Sequence, residues 1–271
     1  MTDCAQDLLP TLVEQNNVAH LVLRDSARRN ALDAQALRVL ESHCLTARAL
    51  VEQGAVDVVV LKSERGAFCS GFDLASCAEV PTRVEELLVR LSACVRALRA
   101  LDAPLVAQVE GAALAGGCAL LTACDFVVVS ADAQLGYPTH RIGISPAISI
   151  PTLFARMGPR TRALLMSNEL LTGSEAYARG LATHCVESPA LLESAVESLV
   201  ASLSAKGPQA MRATKQWMRR IEECGSGELA STRGCDDEAM NAALEASVAL
   251  ASGDEFARML RAFWASRSKV R

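Results

Sequence analysis

The sequence predicts an α/β protein in which parallel strands alternate with helices, followed by a helical C-terminal part. Apolar, β-branched runs typical of buried strands alternate with segments whose apolar residues recur at helical spacing, up to about residue 130. From Thr161 onward the pattern is almost entirely helical. Strands joined in this way need right-handed crossovers, so loops that leave neighbouring strand ends are expected to line one crevice.

The first predicted strand covers residues 18–24 (VAHLVLR) and leads into a polar turn that carries Arg28 and Arg29. The next helix is predicted to begin near Asp33, a favoured N-cap residue type, and to end near Gly54, a favoured residue type just past a C-terminus. Its apolar residues at helical spacing are Leu37, Leu40, Cys44, Ala47 and Val51.

The run 56–61 (VDVVVL) fits a strand that is buried on both faces. A glycine-containing segment, 64–73, leaves its end and is called the first glycine loop below. A long helix is then predicted from Thr82 to about Leu101, with Thr82 and Glu85 at the spacing of a capping box.

The stretch 105–125 (LVAQVEGAALAGGCALLTACD) combines a strand, a loop and a helix start. The strand covers 105–109, and the second glycine loop, 111–116, ends where an apolar helix begins at about Gly116. Glycine lets backbone N–H groups approach a ligand, and the dipole of a helix is positive at its first turn. Such amides stabilise an oxygen that becomes negative during a reaction. A tightly packed joint made of small residues would give the same pattern.

After a strand at 126–129, the C-terminal part is predicted to be helical. Ser188 and Pro189 begin one helix, Pro208 begins a second that ends at about Glu223, and two more cover 228–252 and 254–266. We place the boundary between an α/β core, 1–200, and a helical region, 201–271. Gly225-Ser226-Gly227 is the one joint of flexible composition.

Composition excludes several classes of protein. With 51% hydrophobic and 21% charged residues the chain is globular, and a net charge of −4 gives no overall attraction to nucleic acid or anionic lipid. The ten cysteines form no CxxC pair, so reduced core thiols of a cytoplasmic protein are expected. The four histidines are far apart in the sequence, so no metal site is predicted. No secretion signal and no membrane span are predicted either.

Five segments, in this order, resemble the enoyl-CoA hydratase/isomerase or crotonase family. They are RNALD (29–33), GAFCSGFDL (66–74), VEGAALAGGCALLTACD (109–125), AQLGYPTHRIGISPA (133–147) and LTGSEAYARGLATHCV (171–186). The resemblance implies a crotonase-like spiral of ββα units, with C-terminal helices that pack between subunits of a homotrimer or a dimer of trimers. It also implies an acyl thioester of coenzyme A as substrate, less often of an acyl-carrier protein, and no tightly bound cofactor.

By the same resemblance, the backbone N–H groups of Phe72 and Gly116 form an oxyanion hole that stabilises an enolate. The first glycine loop is expected to hold the adenine of coenzyme A, and Arg28 or Arg29 to reach its phosphates, unless both belong only to a solvated turn. The positions implied for contact with coenzyme A are Arg28, Ala31, Ala67, Ser70, Gly71, Asp73, Leu74, Leu114 and Gly117.

The sequence departs from the family at the two glutamates that hydratases place over the substrate. Their positions hold Ala119 and Thr139, and neither side chain is a general base near neutral pH. His140 has a suitable unperturbed pKa. If its segment is extended, however, its ring points away from the face that Thr139 presents, so we expect a bystander.

Other candidates for acid–base chemistry are weaker. Tyr137 and Ser145 are weaker donors. Asp73 is placed to cap the next helix, and Cys118 has no paired base and is expected to be a core thiol.

The segment 141–158 (RIGISPAISIPTLFARMG) is similar to family members that act on methylglutaconyl-type thioesters. Together with 202–218 (SLSAKGPQAMRATKQWM), it is also similar to crotonase-like enzymes of polyketide β-branching. Both resemblances imply a short or branched acyl group.

Three functions remain open from the sequence. The first is an acyl-CoA enzyme that stabilises an enolate without the glutamate pair. The second is a catalytically weak thioester-binding protein. The third is a dehydratase or decarboxylase that acts on an acyl-carrier-protein thioester. A basic docking patch would favour the third, and its candidate residues are Arg212, Lys215, Arg219 and Arg220.

Overall fold

The computed structural model describes residues 8–80, 82–225, 248 and 253–268 of the 271-residue chain. The chain forms two compact units, one that ends at Ala201 and one that begins at Ser202. All strands of the described residues and both glycine loops belong to the first unit.

Two sheets form the centre of the first unit. The strands are β1 (Thr11–Gln15), β2 (Val18–Leu23), β3 (Val58–Ser63), β4 (Leu105–Val109), β5 (Ala112–Leu114), β6 (Phe126–Ser130), β7 (Gln134–Gly136), β8 (Leu170–Thr172) and β9 (His184–Val186). The larger sheet has the order β1-β2-β3-β4-β6-β9, and the smaller has the order β5-β7-β8. In the larger sheet β1 is antiparallel to β2, and every other neighbouring pair is parallel. The predicted α/β class with parallel strands is therefore confirmed.

Helices follow the strands as crossovers and then dominate the C-terminal part. Within the described residues they are α1 (Ala34–Glu52), α2 (Leu74–Glu79), α3 (Arg83–Arg99), α4 (Gly116–Thr122), α5 (Ile150–Met157), α6 (Arg160–Ser167), α7 (Gly173–Ala178), α8 (Leu192–Ser204), α9 (Pro208–Gly225) and α10 (Asp254–Ser268).

Helix α1 has the capping residues and the buried apolar face that the sequence predicts. Asp33 has an extended backbone, and its side chain accepts a hydrogen bond of 2.8 Å from the Ala36 N–H. Just past the other end, Gly54 has a φ of +75°, which glycine adopts without a Cβ penalty. The predicted apolar face is buried, and Cys94 of α3 donates to the Leu37 carbonyl across the contact between the two helices.

The second unit contains α9 and α10. The Glu255 carboxylate of α10 accepts hydrogen bonds of 3.1 Å from the backbone N–H groups of Gln209 and Ala210. These first-turn amides of α9 have no acceptor within their own helix, so Glu255 caps α9 from a distant part of the sequence. Of the predicted helix 228–252, the described residues include only Val248.

Some local predictions were wrong. Thr82 has a helical backbone rather than the extended one that an N-cap needs, so its side chain caps nothing and the predicted capping box is absent. Ser188 likewise makes no side-chain cap; a 3-10 turn, Pro189–Leu191, precedes α8. The chain after Thr161 also contains β8 and β9, which were not predicted. Each has three residues, too few to show an alternating pattern.

The described cysteines are free thiols, and six of them are buried: Cys44, Cys69, Cys77, Cys94, Cys118 and Cys124. Among the described residues, no helix is long and apolar enough to cross a membrane. In the same part of the chain, no group of three or more histidine, cysteine or acidic side chains could hold a metal ion.

Candidate active site

The two glycine loops lie side by side and fix each other's position. Cys69 forms a bridge with Ala113: its N–H donates to the Ala112 carbonyl, and its carbonyl accepts from the Leu114 N–H, both at 2.9 Å. A Cβ at Gly117 would lie 2.6 Å from the Cys69 carbonyl oxygen, so only glycine fits there. Gly117 is therefore a packing residue of the joint, and its contact with coenzyme A stays a prediction.

The two predicted oxyanion-hole amides have no acceptor in the part of the chain that the structure describes. On either side of Phe72, the Gly71 carbonyl accepts from Leu32, and the Asp73 N–H donates to Leu32. The intervening Phe72 N–H therefore points to the other side. Gly116 is the first residue of α4, where an N–H has no intrahelical acceptor.

The backbone around these amides is tightly constrained. A Cβ built on Gly71, which has a φ of +95°, would lie only 3.7 Å from the Gly116 nitrogen. Ala115, just before Gly116, has a φ of 49° and a ψ of −107°, and its N–H donates to the Gly136 carbonyl at 2.8 Å. An alanine in this conformation is held by its surroundings, as is common at functional sites.

A cavity of about 220 Å³ has both Phe72 and Gly116 in its wall. Ala119 and Thr139, the two positions of the glutamates in family hydratases, line the same cavity. Much of the remaining wall is aliphatic and includes Leu74, Leu88, Leu91, Ile142, Ile144 and Ile148. The structure thus brings together four of the five residues for which a catalytic position was predicted.

His140, the fifth, is exposed and does not line the cavity. The prediction about His140 assumed an extended segment. The segment instead forms a 3-10 helix, Pro138–Ile142. Side chains three residues apart share a face in such a helix. Pro138 and Arg141 therefore form one row and Thr139 and Ile142 another, and His140 is on the third side.

Among the described residues of the cavity wall, only Tyr137 and Arg141 have ionisable side chains. Tyr137 is 1% exposed. Burial, and then the nearby Cys118 thiol, raise the pKa of its hydroxyl well above the usual range; Ser149 opposes this only in part. The hydroxyl is therefore neutral at ordinary pH and cannot act as a base.

Two buried hydroxyls of the cavity wall lack a hydrogen-bond partner. They are Oη of Tyr137, which forms no bond of acceptable geometry even with Ser149, and Oγ1 of Thr139, whose residue is 9% exposed. Buried polar groups without partners are uncommon in folded proteins and leave a hydrogen bond to be made with a bound molecule.

The Cys118 side chain is not available for nucleophilic chemistry. Its Sγ donates to the Ala113 carbonyl at 2.9 Å, and burial raises the pKa of the thiol to about 12. Ser145 lines the cavity from an exposed position. Asp73 precedes α2 but makes no side-chain cap, so the prediction that it caps this helix was wrong.

Arg28 is held by three carboxylates. Its guanidinium contacts Asp25 at 2.6 Å, Asp33 at 3.1 Å and Asp73 at 3.3 Å. Arg29 is exposed, and its side chain makes no ion pair with any residue that the structure describes. Of the two arginines predicted to reach phosphates, Arg28 is therefore engaged in the fold, and Arg29 is the available one.

The other positions predicted for coenzyme A fall in two places. Ser70 and Leu74 line the cavity that contains the two amides. Ala31 lines a second cavity of about 140 Å³ together with Arg28. The Ala67 carbonyl accepts from the Asn30 side chain at 2.9 Å, which joins the turn to the first glycine loop. Leu114 is half-buried.

The four candidate residues for a basic docking patch on α9 differ in exposure. Lys215 is buried, and Arg212 and Arg219 are only partly exposed. Arg220 is exposed but stacks over the Trp217 ring at 5.0 Å.

Sequence reasoning missed Arg141 as a residue of the cavity. The signal that could have found it is the three-residue spacing from Pro138, which becomes informative only once the 3-10 helix is known.

Backbone N–H groups without acceptors beside an apolar cavity are the kind of donors that can stabilise an oxyanion. The sequence pattern of the family "Enoyl-CoA hydratase/isomerase" matches residues 13–240, and the chain belongs to this family.

Individual relatives agree with this assignment. The chain is 30% identical over 211 residues to 2,3-dehydroadipyl-CoA hydratase of Escherichia coli, which covers 77% of this chain and 81% of the relative. The solved structure of Pseudomonas aeruginosa AtuE has a TM-score of 0.82 and 27% identity, with coverage of 94% of this chain and 95% of the other. A Mycobacterium smegmatis enoyl-CoA hydratase structure has a TM-score of 0.83 and 26% identity, covering 95% and 96%. These likenesses confirm the predicted crotonase-like fold.

Proposed function

We propose that this protein is an enzyme that binds acyl thioesters of coenzyme A and stabilises their enolates without a pair of glutamates. The observation that carries the proposal is that Phe72 and Gly116, whose N–H groups have no acceptor among the described residues, line one cavity. A thioester oxygen bound there accepts from both N–H groups. These bonds become stronger as negative charge develops on the oxygen, so they favour the enolate over the neutral thioester.

The cavity differs from a two-glutamate hydratase site in its supply of bases. Its described wall contains no carboxylate, imidazole or thiol, and Tyr137 is neutral. Hydration of an enoyl thioester needs a group that activates water, and nothing in this wall supplies one. The reaction is therefore one that relies on the oxyanion hole more than on acid–base catalysis.

A base-free cavity also favours a second candidate function, decarboxylation of a malonyl-type thioester. The bond between the α-carbon and the carboxylate carbon breaks, carbon dioxide leaves, and the electron pair becomes the enolate that the two amides hold. No base is needed to form that enolate. Protonation of the α-carbon from water or a buried hydroxyl completes the reaction. Whether the thioester belongs to coenzyme A or to an acyl-carrier protein is part of the test.

Coenzyme A would extend from the cavity toward the turn that carries Arg29. The turn and the first glycine loop are hydrogen-bonded to each other through Ser70 N–H and the Arg29 carbonyl at 3.0 Å. This contact supports a continuous binding surface from the thioester site to an available guanidinium, which suits a phosphate.

The test compares Gly116→Pro with Gly116→Ala. Both variants place a Cβ about 3.1 Å from a terminal methyl group of Leu32, but only proline removes the N–H. Proline is tolerated in the first turn of a helix. Turnover is measured on enoyl-, hydroxyacyl- and malonyl-type thioesters of coenzyme A and of an acyl-carrier protein.

We expect Gly116→Ala to keep most of the activity, and Gly116→Pro to lose roughly 10²–10³-fold in turnover while thioester binding weakens much less. Thermal unfolding of both variants controls for folding. A folded Gly116→Pro protein with full activity would overturn the mechanism. If the wild-type protein binds thioesters but turns over none, it is a binding protein and the enzyme proposal is wrong.

A further inference from the structure

Arg141 is an exposed arginine in the wall of the cavity. It is the one cation among the described residues that line the cavity, and it forms no ion pair or side-chain hydrogen bond with them. Some other arginines of the same unit do have carboxylate partners: Arg38 contacts Glu86 at 2.9 Å, and Arg179 contacts Glu169 at 2.8 Å. The cavity wall itself offers Arg141 no counter-charge.

The backbone presents Arg141 to the cavity. Residues 138 and 141 occupy the same side of the 3-10 helix, and both line the cavity. The adjoining row, Thr139 and Ile142, lines it as well. Arg141 is therefore the one residue with a charged side chain among the described residues of a wall that otherwise holds apolar side chains, amides and hydroxyls.

Two buried hydroxyls of the wall also lack partners among the described residues. The buried hydroxyls of Tyr137 and Thr139 form no hydrogen bonds. A guanidinium binds a carboxylate with two parallel N–H···O bonds, and a neutral hydroxyl can donate to the same kind of anion. An apolar acyl chain alone would satisfy none of these groups.

We propose that Arg141 makes the cavity selective for acyl thioesters whose acyl chain ends in a carboxylate. The inference rests on the proposed thioester function of the same cavity and names its substrate class. At about 220 Å³ the cavity is smaller than the roughly 300–1,000 Å³ of pockets that enclose a whole drug-sized ligand, so it would hold the acyl part. The thioester oxygen is bound at the Phe72 and Gly116 amides, and the distal carboxylate is bound by Arg141.

The test uses pairs of thioesters of equal chain length. Succinyl-CoA is compared with butyryl-CoA, and glutaryl-CoA with pentanoyl-CoA, by calorimetric titration of the wild-type protein. We expect the wild-type protein to bind the carboxylated member of at least one pair roughly 10- to 100-fold more tightly, as a charged hydrogen-bonded contact would give.

In the Arg141→Gln variant the preference should disappear because only the carboxylated thioester loses affinity. Arg141→Lys keeps the charge without the fork of donors and should retain part of the preference. Arg162→Gln is the matched control: Arg162 is an exposed arginine of α6 that does not line the cavity, so the preference should be unchanged.

The outcomes separate this inference from the proposed function. If the wild-type protein binds both members of every pair equally, the selectivity is wrong while thioester binding stands. If Arg141→Gln weakens both members to the same extent, Arg141 contacts the coenzyme A moiety, and the inference is overturned. If no thioester binds to the folded wild-type protein, the proposed function itself fails.

Discussion

At the scale of single residues, the proposed function depends on Ala119 and Thr139. Both line it, and both are buried. A carboxylate placed at either position would face the same space as the Phe72 and Gly116 amides. A lack of hydratase activity would then result from the side chains at positions 119 and 139 and not from the fold.

This leads to a gain-of-function prediction. The double variant Ala119→Glu with Thr139→Glu should hydrate crotonyl-CoA at least about 100-fold faster than the wild-type protein, because each acid–base group contributes roughly 10²–10⁴-fold. The measurement is the loss of absorbance of the enoyl thioester.

The matched control is Ala119→Gln with Thr139→Gln, which has the same size but no carboxylate and should gain nothing. His140→Ala should leave any activity unchanged because its ring is outside the cavity. Hydration by the wild-type protein at a rate that the glutamates do not improve would show that another group activates water.

At the scale of elements, the turn before α1 and the first glycine loop are joined through Arg28. Asp25, one of its three partners, is 5% exposed, and its side chain also accepts from the Arg28 N–H. A buried carboxylate that loses its cation is costly. Arg28 is therefore expected to stabilise the folded protein, whereas Arg29 is expected to contribute to the affinity for coenzyme A.

The paired variants Arg28→Gln and Arg29→Gln test this division. Arg28→Gln should lower the free energy of unfolding by about 1–3 kcal/mol. This is less than the loss of a fully buried ion pair would cost, because the Arg28 side chain is half exposed. Arg29→Gln should leave stability within about 0.5 kcal/mol and weaken the binding of coenzyme A. Urea denaturation and calorimetric titration measure the two effects. The reverse result would assign the phosphate contact to Arg28.

Elements differed in how well the sequence predicted them. Helix α1 was predictable because its N-cap Asp33, its apolar spacing and Gly54 all agree. The strand β4 was found at its predicted bounds because four of its five residues are apolar. The strands β5, β7, β8 and β9 have three residues each and carry no such pattern. The 3-10 helix at Pro138 was also missed, and with it Arg141, because five residues show no clear period.

For the whole molecule, the buried thiols predict a loss of stability in alkali. Burial raises the pKa of Cys69, Cys94 and Cys118 to about 12. The unfolded chain releases these protons near the ordinary thiol pKa, about 8.5. The folded protein thus binds more protons above that pH. Stability is full below it and falls as the pH rises toward 12.

Each such thiol should lower the free energy of unfolding by about 1.4 kcal/mol per pH unit once the pH is above about 9. Urea denaturation between pH 8 and pH 10 under reducing conditions measures the slope. The Cys118→Ala variant, which lacks one of these thiols, should show a shallower slope by the same amount. Equal slopes for the variant and the wild-type protein would contradict the expected coupling.

Exposed apolar residues of the C-terminal part bear on whether the whole molecule forms an oligomer. Described apolar residues of the C-terminal part that are exposed include Val248 at 55%, Phe256 at 48% and Leu260 at 42%. Met240 and Leu244, two more apolar residues of the predicted C-terminal helices, lie outside the described residues. We predict that the chain associates with copies of itself, as a trimer or a dimer of trimers, because burial of such residues favours an interface. Sedimentation that shows a stable monomer at micromolar concentration would contradict this.

The 3-10 helix Pro138–Ile142 has a consequence for how the protein can diverge. Each residue turns this helix by about a third of a circle. Loss of one codon before Thr139 would therefore rotate the residues that follow and bring the imidazole of His140 to the place that Thr139 now occupies. A one-residue deletion in this segment can thus place a base in the cavity without any amino-acid substitution.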